Sequence, residues 1–292
     1  MVICVGEILA DMIGARIDGD TVYTQKAGGA PFNVACAIKK QGGKVDFYGT
    51  VGNDLVGKFL LSYAQNLLGD GAKISVNDDH NTTLAFVSND EFGERSFCFY
   101  RKNTADYYLP NLCDEIIKSA NIIHIGSLCL SEEVGREYAR NLMLKAKACG
   151  VKVSFDVNYR EDIYPDSATA VKIFREFIEF ADIVKFSQDE VSIFGEDYVN
   201  SLDKTVFITL GGNGSRVKVD GKNYFAGSIK VKPVDTTGAG DAFYGKALSM
   251  LDYGESDYEK ILKESNIAGA LTTLGRGAID PIPTSEEVKK YL

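Results

Sequence analysis

Short apolar runs alternate with amphipathic segments along most of the chain. The runs are short, as in buried strands, and they fall at residues 2–5, 45–51, 121–125, 151–155, 183–186 and 206–210. Apolar residues at helical spacing predict helices between several of them, at residues 132–149, 168–181 and 189–194. Strands that alternate with helices in this way lie parallel and are joined by right-handed crossovers. The pattern therefore predicts an α/β fold built on a mostly parallel sheet.

One region departs from this rhythm, because its strands follow one another without helices. Its strand-like runs are residues 73–76, 83–87 and 95–100, with turns at 78–81 and 89–93. Another run, residues 21–26, alternates weakly between polar and apolar positions. We predict a small β-sheet lid whose strands are drawn from about residues 14–27 and 73–101. Arg101 leaves the last of these strands, where it is either a substrate clamp or a surface charge.

A loop gives way to a helix within residues 235–243, whose sequence is DTTGAGDAF. Residues 229–231, just upstream, are predicted to end a strand. Downstream, a helix is predicted to begin close to Gly240, because apolar residues recur at helical spacing at Ala242, Phe243, Ala247, Leu248 and Leu251. The loop therefore delivers the chain to a helix N-terminus.

This helix start has the features of an anion site. The first N–H groups of a helix lack intrahelical partners, and the helix dipole adds partial positive charge there. Since Gly238, Ala239 and Gly240 have almost no side-chain bulk, an anion such as a phosphate can approach those groups. Asp241 follows in the first turn. It is either a catalytic base beside the anion or a plain helix cap, and the spacing alone leaves both roles open.

Polar and glycine residues also cluster where several predicted strands end. The carboxyl ends of parallel strands meet at one edge of a sheet, where ligands bind. The clusters are Glu7 with Asp11, Gly126 with Ser127, Asp156 with Asn158 and Arg160, Ser187 with Glu190, and residues 211–214. Together they predict a long ligand groove, although each acidic residue taken alone could be a solvated loop carboxylate.

A second stretch of small residues, AGGAPFNVA at 27–35, leads into another predicted helix. Gly28 and Gly29 permit a close backbone approach, and Pro31 suits a first helical turn. Asn33 lies one turn into the helix. Because asparagine is a poor residue for a helix interior, its side chain is expected to form hydrogen bonds.

Other site types find little support. Residues 52–59, GNDLVGKF, match a phosphate-binding P-loop except at Phe59, which lacks the hydroxyl that would bind Mg²⁺. The chain has two histidines, and His124 falls in an apolar run, so a histidine-rich metal site and a Ser-His-Asp triad are disfavoured. A G-x-G-x-x-G sequence after a strand is absent, which disfavours a dinucleotide-binding domain.

The composition is that of a globular enzyme. Of the 292 residues, 45% are hydrophobic and 25% charged, and the net charge of −9 disfavours nucleic-acid and membrane partners. No apolar run reaches the roughly 18 residues that span a bilayer, and no signal peptide is evident. The six cysteines form no C-x-x-C pair and lie mostly among apolar residues, which predicts reduced thiols and a cytoplasmic protein.

Residues 27–35 and 235–243 resemble the two signature sequences of the ribokinase-like (PfkB) carbohydrate kinases, in the same order. The elements that resemble this family run over nearly the whole chain. The resemblance implies one domain over residues 1–292, with a three-layer α/β/α architecture and a β-sheet lid. It also implies an activity, namely transfer of the γ-phosphoryl group of ATP to a sugar hydroxyl.

The resemblance assigns roles by position. Asp241 would be the general base, and the backbone of residues 238–240 would be the anion hole. The sugar and the transferring phosphate would be bound by Asp11, Gly28, Gly29, Asn33, Asn158 and Arg160. The nucleotide would be bordered by Thr209, Gly211, Gly214 and Asn266, with Glu190 acting through water on Mg²⁺. Some members have a loop for a monovalent cation such as K⁺, and its counterparts here are Asp235, Thr237, Gly275 and Gly277.

One departure from the family pattern concerns the metal. The family commonly has Asn-x-x-Glu where this chain has Ser187 and Glu190. A serine hydroxyl can still hold a water molecule, so the departure implies altered handling of Mg²⁺ or phosphate rather than lost activity.

The opening GEILAD at residues 6–11 and the segments FYR at 99–101 and TAD at 104–106 are similar to fructokinase-type members. They favour fructose as the substrate over ribose, 2-keto-3-deoxygluconate and nucleosides. A catalytically inactive regulator that binds a sugar or a nucleotide is the alternative from another class. A lid with exposed strand edges could also pair with that of a second subunit to form a homodimer.

Overall fold

The structure is a computed structural model that describes residues 1–89 and 95–292, so most of the turn predicted at 89–93 lies outside the described residues. The strands within these ranges are β1 (Val2–Val5), β2 (Leu9–Ile17), β3 (Asp20–Gly28), β4 (Val45–Gly52), β5 (Ala72–Asn77), β6 (Leu84–Asn89), β7 (Arg95–Tyr100), β8 (Ile122–Ile125), β9 (Lys152–Asp156), β10 (Ile183–Ser187), β11 (Thr205–Thr209), β12 (Ser215–Val219) and β13 (Lys222–Ala226).

The α-helices in the same ranges are α1 (Ala30–Lys40), α2 (Leu55–Leu68), α3 (Asp114–Lys118), α4 (Glu133–Ala148), α5 (Ser167–Phe180), α6 (Gln188–Phe194), α7 (Glu196–Ser201), α8 (Ala239–Asp252), α9 (Tyr258–Thr272) and α10 (Ser285–Lys289). Among them, no helix has both the length and the apolar character that a membrane crossing requires.

The larger sheet has nine strands in the order β13-β12-β11-β10-β9-β8-β1-β4-β5. From β11 to β5 every neighbouring pair is parallel, whereas β12 and β13 form an antiparallel hairpin at one edge. Most of the parallel strands are joined through helices, as the alternating sequence pattern predicted. Their carboxyl ends therefore lie along one edge of the sheet.

Each face of the larger sheet carries its own hydrophobic core, because successive side chains of a strand point to opposite faces. In β1, Ile3 and Val5 join a core with α4 and α5, while Val2 and Cys4 join a second core with α1 and α8. All four side chains are fully buried. The helices thus form a layer on each side of the sheet, which confirms the predicted three-layer α/β/α architecture.

The smaller sheet has four strands in the order β3-β2-β6-β7. Strand β2 pairs antiparallel with β3 and parallel with β6, and β6 pairs antiparallel with β7. The chain enters this sheet soon after β1 and leaves it through β3, which leads directly into α1. The small sheet therefore borders the carboxyl end of β1.

Two local predictions are wrong. Residues 73–76 belong to β5, which pairs parallel with β4 at the edge of the larger sheet and takes no part in the small one. An edge strand is partly exposed and carries polar residues, as a lid strand does. The composition of β5 therefore could not distinguish the two positions. Residues 229–231 form no strand. Their apolar side chains, from Ile229 and Val231, line a cavity instead.

Candidate active site

Two adjoining cavities lie at the carboxyl ends of the parallel strands. The first, which we call the polar cavity, has a volume of about 500 Å³, and its lining includes Glu7, Asp11, Asn33, Lys185 and Asp241. The second, which we call the adjoining cavity, has a volume of about 520 Å³, and its lining includes Ile229, Pro233, Phe243, Asn266 and Ala270. Thr209, Thr236 and Gly240 line both. The structure therefore forms one continuous groove with a polar and a more apolar half.

The anion cradle lies where the two cavities meet. Helix α8 begins at Ala239, close to the predicted position, and Gly238 precedes it in the left-handed region with φ of 76°. A Cβ on Gly238 would lie 2.5 Å from the backbone oxygen of Ala278, so this turn requires glycine. The N–H groups of the first helical turn have no partners within the helix. The N–H of Ala239 donates to the backbone oxygen of Thr236 at 3.3 Å, and Gly240, the next residue, lines both cavities.

Asp241 stands in the first turn of α8 and lines the polar cavity. Its Oδ2 accepts a hydrogen bond of 2.8 Å from Nδ2 of Asn33, which is carried by α1. Burial raises the pKa of Asp241 to about 6, although the bond from Asn33 opposes this shift. The two signature sequences thus meet at one hydrogen bond, and the carboxyl group is held in a fixed orientation beside the cradle.

Most of the residues predicted to bind the sugar or the transferring phosphate line the polar cavity: Asp11, Gly29, Asn33, Asn158 and Arg160. Gly28 serves them indirectly, because a Cβ at that position would collide with the Asp11 carboxylate. Asn158 adopts a positive φ of 37°, which bends the chain after β9. Arg160 donates to the backbone oxygen of Tyr159 at 2.9 Å.

The structure does not bring Arg101 into the polar cavity. Its guanidinium is buried and donates to Asp106 Oδ2 from Nε at 2.9 Å and from Nη2 at 2.7 Å. It also donates to the backbone oxygen of Leu128 at 2.7 Å and to Ser131 at 2.9 Å. These contacts use most of the five N–H groups of an arginine. The geometry thus favours neither of the expected roles, substrate clamp or surface charge. Arg101 instead ties the end of β7 to the loop that follows β8 of the larger sheet.

Glu7 is a buried acid in the polar cavity that was noted in the sequence but assigned no role. Its Oε1 accepts a hydrogen bond of 2.9 Å from the N–H of Ala30, the first residue of α1. Within the described residues its Oε2 has no hydrogen-bond partner. Burial raises the pKa of Glu7 to about 7. The side chain therefore holds the start of α1, and its second oxygen is buried without a hydrogen-bond partner among the described residues.

Lys185 is a site residue that the sequence analysis missed, and its partner Asp156 was predicted only as part of a strand-end cluster. They are register partners on the neighbouring strands β10 and β9, and Lys185 Nζ donates to the two carboxylate oxygens of Asp156 at 2.9 and 2.8 Å. Their side chains are only 7% and 3% exposed. A signal was present, since a lysine within the otherwise apolar run at 183–186 is unusual for a strand buried on both faces.

Ser187 and Glu190 form a capping box at the start of α6. Glu190 accepts hydrogen bonds from the N–H groups of Ser187 at 2.6 Å and of Tyr159 at 2.7 Å. Burial raises its pKa, while the nearby ammonium of Lys185 opposes that shift. The serine that replaces the family asparagine thus has a local role in the helix cap, and Glu190 lines the polar cavity.

The residues predicted to border the nucleotide all line the adjoining cavity. They are Thr209, Gly211, Gly214 and Asn266. Asn266 on α9 donates to the backbone oxygen of Ala226 at 2.9 Å, which fixes its amide group. Gly214 has a φ of 105°, and a Cβ there would collide with the same backbone oxygen. This half of the groove offers a largely apolar space beside a glycine-rich loop.

The predicted cation loop converges on Asp235. Its Oδ1 accepts from the N–H of Thr237 at 2.7 Å, and its Oδ2 accepts from the N–H of Gly277 at 2.9 Å. Gly275 packs closely against Pro281. Asp235 therefore joins the loop before α8 to the loop after α9, which together flank the cradle.

The groove suits a magnesium ion that arrives bound to the nucleotide, because it offers a carboxylate but no complete set of metal ligands among the described residues. Within residues 1–89 and 95–292, no three histidine, cysteine or acidic side chains form a cluster able to hold a metal. Mg²⁺ commonly keeps several waters and binds through one or two carboxylates plus substrate phosphates, and Glu190 offers such a carboxylate at the cavity wall.

This fold and groove define a ribokinase-like kinase, in which a helix start and an acid meet between two cavities. Comparison with known proteins agrees, because the sequence profile of the pfkB family carbohydrate kinases matches residues 1–285. The chain belongs to this family. The resemblance seen in the two signature sequences is thereby confirmed.

Individual relatives are fructokinases. Probable fructokinase-5 of Arabidopsis thaliana is 35% identical over 314 residues, which span 100% of this chain and 97% of that protein. The structure of a fructokinase from Xylella fastidiosa with bound ATP has a TM-score of 0.91 at 27% identity and covers 99% of this chain and 97% of that one. A fructokinase double mutant from Vibrio cholerae O395, with fructose, ADP and potassium ion bound, has a TM-score of 0.88 at 30% identity over 100% of this chain and 97% of that one.

Proposed function

We propose that this protein is an ATP-dependent fructokinase that transfers the γ-phosphoryl group of ATP to a hydroxyl of fructose. The observation that carries the proposal is the placement of Asp241 beside the helix-start cradle, held by Asn33, where the polar and adjoining cavities meet. The polar cavity takes the sugar, and the adjoining cavity takes the nucleotide. The choice of fructose rests on the relatives and on the sequence similarities at residues 6–11 and 99–106.

The chemistry follows from this arrangement. Asp241 accepts the proton of the sugar hydroxyl, the sugar oxygen forms a bond to the γ-phosphorus, and the bond from that phosphorus to the β,γ-bridging oxygen breaks to release ADP. Phosphoryl transfer depends mainly on positioning and on stabilising the charge of the transferred group. The N–H groups at the start of α8 are fixed before the reaction, so they stabilise that charge without reorganisation.

Polar side chains around the cradle complete the site. Arg160, Asn158 and Glu190 line the polar cavity. Arg160 and Asn158 would contact the transferring phosphate, and Glu190 would hold the waters of a Mg²⁺ ion. That ion, when bound with ATP, would neutralise charge on the phosphates. Asp11 and Asn33 would bind sugar hydroxyls, and the small sheet would close over them to exclude water and suppress hydrolysis of ATP.

A panel of acceptors tests the proposal. ADP release is measured with Mg²⁺ and ATP against fructose, ribose, 2-keto-3-deoxygluconate and a nucleoside, and Asp241→Asn serves as the inactive control. We expect the highest kcat/KM with fructose. A higher value with another acceptor would change the substrate but keep the kinase assignment. Binding of sugar or ATP by calorimetry without any ADP release would favour the regulator instead.

The same assay tests a monovalent cation. We propose that K⁺ binds in the loops that Asp235 joins, between residues 235–237 and 275–277. The structure of the Vibrio cholerae fructokinase with a potassium ion bound supports the choice of ion. Replacing KCl by tetramethylammonium chloride at constant ionic strength should lower kcat. Unchanged activity in the two salts would refute the requirement.

We also propose that two copies pair through their small sheets. Apolar side chains on this sheet are exposed, with Ile17 at 53%, Val22 at 42%, Tyr23 at 44% and Tyr100 at 63%. Exposed apolar patches and unpaired strand edges favour association. Light scattering should give twice the chain mass, and Val22→Lys combined with Tyr23→Lys should give the monomer. A monomeric wild-type protein at enzyme-assay concentrations would contradict the pairing.

A cytoplasmic location is proposed as well, supported by the free thiols of Cys4, Cys36 and Cys129, which are buried without disulfide partners. Fractionation of the native source cells, followed by detection of the chain with a specific antibody, tests it.

A further inference from the structure

The ammonium group of Lys185 ends directly beneath the anion cradle. Lys185 lies on β10, at the centre of the larger sheet, and its side chain lines the polar cavity. A Cβ placed on Gly240 would lie 3.5 Å from Lys185 Nζ. The ammonium also lies 5.8 Å from the ring centre of Tyr244, which is one turn after Asp241 on α8. A full positive charge is therefore fixed below the first turn of the helix that binds the anion.

The hydrogen bonds of Lys185 leave it one donor. An ammonium has three N–H groups, and two of them are taken by the carboxylate oxygens of Asp156. Within the part of the chain that the structure describes, Lys185 Nζ donates to Asp156 and to no other residue. Since the side chain lines the cavity, the third N–H is available to a group bound at Gly240. A phosphoryl oxygen in the cradle is such a group.

A purely structural role explains this placement poorly. Replacing a buried ion pair by apolar residues of similar volume is often neutral or stabilising, so a pair in the sheet core is not needed for folding. The chain also has other buried pairs, among them Lys246 on α8 with Glu264 on α9, at 2.9 Å. The Lys246–Glu264 pair lines neither cavity, whereas Lys185 lines the polar cavity.

We propose that Lys185 is a further catalytic residue, which donates its third N–H to the phosphoryl group as it passes from ATP to the sugar, and that Asp156 is the positioning residue that aims it. The proposal rests on the proposed kinase function. The ammonium, held in place by Asp156, would add a full positive charge to the partial charges of the helix start. Charge-assisted hydrogen bonds of this kind are about twice as strong as neutral ones. The lysine would remain protonated throughout the reaction.

The test uses three variants of the full-length protein. Lys185→Met removes the charge and keeps most of the length of the side chain, and Lys185→Met with Asp156→Asn also removes the carboxylate that would be left unpaired. The matched control is Lys246→Met with Glu264→Gln, which neutralises a buried lysine–glutamate pair outside the two cavities. Circular dichroism and thermal melts establish folding, and fructose affinity by calorimetry establishes that the sugar half of the cavity is intact.

We expect both Lys185 variants to lose about 10²–10³-fold in kcat, the usual cost of removing one donor to a transition-state charge. Fructose KM should change less than about threefold, and the control should keep kcat within about threefold of wild type. A folded double variant with kcat within about threefold of wild type would overturn the proposal.

A pH profile of kcat separates this role from a structural one. The charged or polar groups that face Asp241 are Asn33 on α1, Asp156 on β9, Arg160 after β9 and Lys185 on β10. Removing Lys185 alone should move the acid limb to higher pH, because a nearby cation favours the carboxylate. Removing Asp156 as well should move the limb back while kcat stays low. Coincident profiles for wild type and both variants would count against the ammonium acting at this site.

A binding measurement keeps the proposal testable even if no sugar is phosphorylated. Without sugar, the Lys185 variants should bind ATP about tenfold more weakly than wild type and bind ADP equally well, because the lost bond is to the γ-phosphoryl group. A wild type that transfers to no acceptor would refute the proposed function alone. Equal ATP affinity in wild type and variants would then refute the role of Lys185.

Discussion

Replacing Asp241 with asparagine should separate the chemistry of the groove from the stability of the fold. Burial raises the pKa of Asp241 from 3.8 to about 6, so at neutral pH the folded protein holds a carboxylate in a place that disfavours its charge. Asparagine has nearly the same shape and no charge. Its side-chain oxygen can still accept the hydrogen bond from Asn33 that Asp241 accepts at 2.8 Å.

The expected gain in stability depends on pH. Since the folded pKa lies above the unfolded one, ionisation of Asp241 costs nothing below about pH 4 and its full amount well above pH 6. Each pKa unit corresponds to about 1.4 kcal/mol, so the upper limit for the asparagine variant is roughly 1.6 kcal/mol at pH 5 and roughly 3 kcal/mol at pH 8. Water in the groove screens the charge and lowers both values.

Urea unfolding at pH 5 and pH 8 measures this gain, and ADP release with fructose measures the chemistry. We expect Asp241→Asn to be more stable than wild type, by more at pH 8, while kcat falls by about 10²–10⁴-fold with the loss of the base. Asp280→Asn is the control of opposite sign. Burial raises the pKa of Asp280, but the hydrogen bonds from Lys26 and Tyr63, together with the charges of Lys26 and Lys40, outweigh it and lower the pKa. An Asp241→Asn variant that is less stable than wild type at pH 8, or that keeps full activity, would refute this role of the buried carboxylate.

Three further outcomes can be measured. The kcat of wild type should fall about tenfold per pH unit below about pH 6, because protonated Asp241 cannot accept the hydroxyl proton; a flat profile between pH 5 and 8 would contradict this. Gly238→Ala should lower the melting temperature and abolish transfer, since its Cβ would lie 2.5 Å from a backbone oxygen, whereas Gly240→Ala should fold normally and lose activity only. Arg101→Met should lower the free energy of unfolding by about 3–5 kcal/mol, because it leaves Asp106 buried without its partner; unchanged stability together with a raised fructose KM would instead restore the substrate-clamp role.

The sequence by itself determined the architecture and the centre of the site. Periodicity of apolar residues is set by local geometry, so β1, β8 to β11 and the helices between them could be located before any contact was known. The small residues at 238–240 followed by Asp241 likewise predicted a helix start with exposed backbone N–H groups, since that property depends on the backbone of one turn.

Tertiary structure alone decided which residues meet. The strand at 73–76 has a lid-like sequence, and only the pairing of β5 with β4 assigned it to the larger sheet. Arg101 was a candidate for the substrate, but Asp106 and the loop after β8 occupy its donors. The bond from Asn33 to Asp241 joins residues 208 positions apart. Such contacts depend on how strands are ordered in the sheet, which local patterns do not encode. The Lys185–Asp156 pair exists because β9 and β10 are neighbours in one register.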